Sequence, residues 1–211
     1  MDEYISELIE RYPILASNAE AIGRVYEILV QCFENGGKLL VAGNGGSTAD
    51  ADHIVGEMMK GFRLPRTISK KLNDELRMID NDMGAELSQK LQGALPAIAL
   101  HNHSSLNTAF LNDVDGKMCF AQQIMGYGNE SDVFMAISTS GNSQNIIYAA
   151  ITAKAKGLKV VALTGAGGGK LSSFADEIIA VGSDVTHIVQ ELHLPVYHCL
   201  CLMLEERFWG S

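Results

Sequence analysis

The sequence predicts an α/β protein whose parallel β-sheet is covered by helices on both faces. Three observations carry this reading. Five short apolar runs recur along the chain: Lys38–Ala42, Pro96–Leu100, Asp132–Ile137, Lys159–Leu163 and Glu177–Val181. Runs of this length without polar alternation fit strands buried on both faces. The stretches between them place apolar residues three or four apart, the period of a helix with one buried side. Finally, two of the strands run into loops rich in Gly and Ser, at 43–47 and 138–143. In an open parallel sheet, the carboxyl ends of the strands are where ligands bind.

Taken in order, residues 3–35 read as helical, broken near Pro13, with Ile22, Val25, Ile28, Leu29 and Cys32 on one stripe. Asn35-Gly36-Gly37 ends this segment. After the first strand and its glycine turn, a helix is expected from about 48 to 60. Residues 63–93 are polar, with Leu72, Leu76, Ile79, Met83, Leu87 and Leu91 at helical spacing. They read as one amphipathic helix or two short ones, whose stripe should cover the parent domain or a partner subunit. Helices are expected at 104–111, 116–127 and 142–156, a short one near 170–175, and a final one from about 186 to 208. Pro195 lies inside that last helix. It removes a backbone hydrogen bond to Glu191 and predicts a kink.

The 211 residues are 47% hydrophobic and 19% charged, enough for one globular domain over 1–211 with a full core. The net charge of −9 disfavours nonspecific nucleic-acid binding. Cys32, Cys119, Cys199 and Cys201 form no Cys-x-x-Cys pair and read as buried free thiols of a reducing compartment. The N-terminus shows no secretory signal, and no apolar run is long enough to span a membrane. A cytoplasmic location is expected.

Two constellations carry chemistry. Ser138-Thr139-Ser140-Gly141-Asn142-Ser143 joins a buried strand to a helix N-terminus. Such a turn offers free N–H groups, the positive end of a helix dipole and four hydroxyls, a set suited to a phosphate monoester. No Lys follows a glycine here, so it is not a nucleotide P-loop. An ordinary helix cap is the alternative. The second constellation is His53 and Glu57, four apart on one helix face, with Gln190 and His198 about 80° apart around the final helix. These side chains suit a divalent metal such as zinc, or an acid/base pair. A solvated helix pair and a core histidine are the alternatives. The glycine loop at 164–169 reads as a tight turn.

With these residues in view, the chain resembles the sugar isomerase (SIS) domain superfamily, and within it the sedoheptulose 7-phosphate isomerase (phosphoheptose isomerase) family. The resemblance is carried by Gly43-Asn44-Gly45-Gly46-Ser47 with His53 and Glu57, Asn112-Asp113, Ile137–Ser143, Ala162–Gly165 with Gly168-Gly169-Lys170, and Gln190–His193 with His198. It implies a five-stranded parallel flavodoxin-like sheet flanked by helices, with an N-terminal helix and a helical insertion. It also implies a homotetramer with shared sites. By the same likeness, Ser138, Thr139, Ser140 and Ser143 hold the substrate phosphate, and Asn44, Gly45, Gly46, Ser47, Asn112, Asp113 and Gln190 contact the substrate. Glu57 and His198 are the implied acid/base pair, and His53, Glu57, Gln190 and His198 match positions that can carry zinc.

The chain departs from the family pattern twice. Residues 63–93 stand where the family usually has a short connection. His187 and Ile188 replace an Asp and an Arg that the family tends to place before Gln190. The activity that the resemblance implies is isomerisation of sedoheptulose 7-phosphate to D-glycero-D-manno-heptose 7-phosphate through an enediol. The rival readings are an isomerase of another phosphosugar and a non-catalytic phosphosugar-binding adaptor.

Overall fold

The computed structural model describes residues 2–210. Its five strands are β1 (Leu39–Ala42), β2 (Ala97–Ala99), β3 (Val133–Ser138), β4 (Lys159–Thr164) and β5 (Glu177–Ala180). They pair in the order β2-β1-β3-β4-β5, and every neighbouring pair is parallel. The chain leaves β1 toward one edge of the sheet and returns to place β3 on its other side, with Leu39 opposite Val133 and Ala42 opposite Ala136. The direction of winding thus reverses between β1 and β3, the position where a crevice opens in folds of this kind.

Alternation along the strands builds two cores. Leu39, Val41, Val133, Met135, Ile137, Val161, Leu163 and Ile179 face α1 (Asp2–Arg11), α2 (Ala19–Glu34), α3 (Gly46–Met59) and α9 (Thr186–Trp209). Leu40, Ala42, Phe134, Ala136, Val160 and Ala162 face α7 (Cys119–Tyr127) and α8 (Gln144–Ala155). With both faces covered, β1 and β3 are buried along their whole length. Each large side chain so buried contributes about 1.5–3 kcal/mol.

The expected helices are present, with informative differences at their ends. The break at Pro13 is a 3₁₀ turn, Pro13–Asn18, because proline can open a helical turn but not continue one. α3 begins at Gly46 rather than near 48, since Gly45 at φ 57° turns the chain directly from strand into helix. β2 ends at Ala99, where Leu100–Asn102 winds into a 3₁₀ turn ahead of α6 (Ser104–Asp113). The expected short helix near 170–175 is a 3₁₀ turn at Lys170–Ser173. α9 passes Pro195 without a break in its helical assignment.

The insertion is two helices, α4 (Lys70–Ile79) and α5 (Asn81–Lys90). Ser69 caps the first by accepting from the Leu72 N–H, and Asp80 caps the second by accepting from the N–H groups of Asp82 and Met83. A bridge between Thr67 and Gln92 closes the base of the hairpin. Its apolar stripe does not cover the parent domain. No residue of α4 is buried, and Met78 and Ile79 are 85% and 84% exposed.

The stem of the insertion is held firmly instead. Glu205 on α9 accepts from the N–H groups of Phe62, Arg63 and Leu64 and from the Arg66 side chain. Arg66 also donates to the carbonyls of Glu57 and Met58, closing the C-terminus of α3, and stacks on Trp209.

Candidate active site

The 138–143 turn is a cradle rather than a simple helix cap. Ser143 stands at the N-cap of α8, yet its side chain makes no capping bond. Its hydroxyl lies 3.1 Å from that of Ser138. The N–H groups of Ser143 and Gln144 find no acceptor among the described residues, so they remain available to an anion. The 164–169 loop braces the turn from behind. The Leu171 N–H donates to the Gly141 carbonyl, and the Lys170 N–H to the Asn142 side chain. Gly141, at φ 63°, is packed so closely on Gly168 that a Cβ would meet its carbonyl oxygen at 2.0 Å.

The second glycine loop, after β1, faces the same space. Asn44, Gly45, Gly46, Ser47, Ser138, Thr139, Ser143, Thr186 and Gln190 line a cavity of about 350 Å³. The N-termini of α3, α8 and α9 all open on it, so three helix dipoles favour negative charge there. Gln190 packs so closely that a Cβ on Gly46 would lie 2.5 Å from its Nε2. Asn44 is fixed by a reciprocal amide pair with Asn145, at 2.9 and 2.8 Å. That partner was not among the residues expected from sequence. Its only signal is an amide side chain in the first turn of α8.

From this cavity α3 and α9 run side by side. Gly46 meets Gln190, and seven residues further along each helix His53 meets Tyr197. Seven residues of helix advance about 10 Å. There the structure assembles the second constellation. His53 Nε2 lies 3.3 Å from His198 Nε2 and 3.5 Å from Glu57 Oε1. The second oxygen of Glu57, Oε2, is buried and makes no hydrogen bond, with Lys60 Nζ 3.8 Å away. Burial and the neighbouring His53 hold the His198 pKa below its ordinary value. On its other side, His53 Nδ1 lies 3.0 Å from the Tyr197 hydroxyl, which donates to Asp50 Oδ1 at 3.3 Å.

The SIS domain family model matches residues 3–92 and 84–165. The phosphoheptose isomerase of Akkermansia muciniphila is 34% identical over the whole of both chains, and that of Leptospira biflexa is 38% identical over 94% of this chain and 88% of its own. The chain belongs to the phosphoheptose isomerase family of SIS domain proteins. Solved phosphoheptose isomerase structures from Francisella tularensis and Neisseria gonorrhoeae superpose with TM-scores of 0.76 and 0.70, each at 32% identity. They cover 97% and 95% of this chain and 96% and 92% of their own.

Within this phosphoheptose isomerase family member, some expected site residues stand apart. Asn112 and Asp113 are exposed at the end of α6, hydrogen-bonded to each other at 2.7 Å, and do not line the cradle. His187 is exposed. His193 is a core histidine, fully buried, with Nε2 3.2 Å from the Thr164 carbonyl, and burial pulls its pKa to about 4.

The donors suited to a zinc ion are His53, His198 and Glu57. Two of their separations, 3.3 and 3.5 Å, approximate the edge of a tetrahedron with metal–nitrogen bonds of about 2.0–2.1 Å. The orphaned Glu57 oxygen is a further available donor. The trio is open, however. Among the described residues no three such side chains converge on one point. Gln190 lines the cradle against Gly46, eight residues and so about 12 Å of helix before His198.

Proposed function

We propose that this protein is a phosphosugar aldose–ketose isomerase converting sedoheptulose 7-phosphate into D-glycero-D-manno-heptose 7-phosphate, at the head of heptose nucleotide synthesis. The observation that carries this reading is the half-buried carboxylate of Glu57, one oxygen of it without a hydrogen bond, next to His53 and His198, on the same helix whose N-terminus opens on the hydroxyl cradle. Ser138, Thr139 and Ser143, which line the cavity, grip the phosphate far from the reacting carbons, while the expected Ser140 lies outside that lining and its hydroxyl accepts from the Asn142 N–H. Their binding energy orients the sugar without taking part in the chemistry.

At the other end, Glu57 takes the C1 proton of the ketose, and the electrons of that bond form the enediol. The proton returns to C2. His198 moves the hydroxyl proton between O2 and O1, so that C2 becomes the alcohol and C1 the carbonyl. No net oxidation occurs. Were His53, His198 and Glu57 to draw together around a zinc ion, the ion would supply polarisation of the carbonyl oxygen.

We further propose a homotetramer with sites shared between copies. Asn112 and Asp113 contact sugar only if a second chain brings a cradle to them. Met78, Ile79, Leu111 and Val114 present exposed apolar surface, which marks interaction faces. Four free, buried cysteines support a reducing, cytoplasmic setting. Among the described residues no helix is long and apolar enough to cross a membrane.

The test is turnover of purified protein on sedoheptulose 7-phosphate, with zinc and with chelator, following exchange at C1 by NMR in deuterated water. Exchange with heptose formation is expected. No exchange, with the fold still protected by the sugar phosphate, would overturn the heptose assignment. A panel of phosphosugars then separates a different isomerase, the reading favoured by His187 and the insertion, from a non-catalytic binder.

A further inference from the structure

Tyr197 lies in the core side of α9, 2% exposed, one residue before His198. Its hydroxyl joins two side chains of α3, Asp50 and His53, at 3.3 and 3.0 Å. A phenol has one proton to give. Here it is given to Asp50 Oδ1, because a carboxylate can only accept. The phenol oxygen is then left as the acceptor for His53, so His53 must present Nδ1 as an N–H donor. A neutral imidazole carries one proton. With it on Nδ1, the lone pair of His53 sits on Nε2, the nitrogen that faces His198 Nε2 at 3.3 Å and Glu57 Oε1 at 3.5 Å.

We propose that Tyr197 is a positioning residue that fixes His53 in the Nδ1–H tautomer and so turns an unprotonated Nε2 toward His198 and Glu57. The rings lock the same orientation. His53 meets Tyr197 and His198 edge to face, with centroids 5.4 and 4.8 Å apart. One consequence follows. His198 must supply the proton of the Nε2–Nε2 contact, which holds it as an Nε2–H donor to His53.

The tautomer itself is independent of the isomerase reading, whereas its kinetic consequence rests on it. The full-length protein, labelled with ¹⁵N-histidine, is examined by long-range ¹H–¹⁵N correlation at neutral pH, as purified and after dialysis against chelator. A His53→Asn variant assigns the signals. The expected result is His53 with its proton on Nδ1. A proton on Nε2 in the wild-type protein overturns the proposal without any further variant.

In Tyr197→Phe the Nδ1–H signature should be lost and kcat should fall about 10- to 100-fold. The KM for the phosphosugar should hold, because the cradle lies about 10 Å away along α3. An unchanged tautomer together with an unchanged kcat would overturn the positioning role. A wild-type protein that shows the Nδ1–H tautomer but turns over no phosphosugar would overturn the isomerase reading and leave the tautomer standing.

Discussion

The hydroxyl of Ser143 pairs with that of Ser138 at 3.1 Å and leaves the N-terminus of its own helix uncapped. A residue in this position ordinarily stabilises its helix by satisfying one of the first N–H groups. Here the N–H groups of Ser143 and Gln144 stay free among the described residues and the two hydroxyls line a cavity, a geometry that suits an anion.

Removing either hydroxyl should therefore cost binding and not stability. A hydrogen bond to a charged group contributes about 1.5–3 kcal/mol. Ser143→Ala should weaken phosphosugar binding by roughly ten- to a hundredfold at that strength, with kcat nearly unchanged. Its midpoint of urea unfolding should stay close to wild type. A lowered midpoint with unaltered KM would show that Ser143 caps α8 after all.

Glu57→Gln keeps the size and packing of the side chain and removes the base. A positioned general base contributes about 10²–10⁴ in rate. The expected outcome is a loss of that order in kcat, while the sugar phosphate still raises the melting temperature. Full turnover by this variant would remove Glu57 from the chemistry.

The stem of the insertion makes a stability prediction. Arg66 and Glu205 form an ion pair at 2.8 Å with both side chains 1% exposed. Burial alone would raise the Glu205 pKa, but the N–H donors of Phe62, Leu64 and Arg63 and the Arg66 side chain outweigh it and hold the carboxyl below its usual value. Glu205→Gln leaves Arg66 buried without a counter-charge and should destabilise the protein by about 3–5 kcal/mol. Breaking the exposed pair of Arg207 and Glu34 with Arg207→Ala should cost less than about 1 kcal/mol. Chemical denaturation of both variants makes the comparison.

His193 sets a pH dependence. Its folded pKa, about 4, lies below the ordinary 6.5. Between those values the unfolded chain binds the proton and the folded chain does not. The stability that His193 contributes is complete above pH 6.5 and is lost as pH falls toward 4, by about 3 kcal/mol in all. His193→Gln should flatten the urea midpoint across that window. An equally steep fall in the variant would assign the acid sensitivity to other groups.

Much of this molecule could be read from residue order. The five apolar runs became five strands, and the three- and four-residue spacings became helices. Each of these signals belongs to a short window of chain, where side-chain periodicity and turn residues act on their neighbours. The Ser/Thr turn and the glycine turn were legible for the same reason. The insertion was only half legible. Its spacing announced helix, but the division into two depended on Asp80, which caps α5 from an extended conformation. That its stripe faces away from the domain was not visible in spacing at all.

Residue order alone placed the elements, the hydroxyl-rich turn and the His53–Glu57 pair, because each rests on residues close together in the chain. Packing of the folded chain is what puts β1 next to β3, Asn145 against Asn44, and Tyr197 between Asp50 and His53. It also placed Gln190 at the cradle while His198 joins His53. Those partners are separated by about a hundred residues or more, 101 for the amide pair and 144 for Tyr197 with His53. Tyr197 and His53 meet because α3 and α9 begin at the same cavity and pack side by side, Asn44 and Asn145 because β1 lies next to β3, and no local pattern records either register.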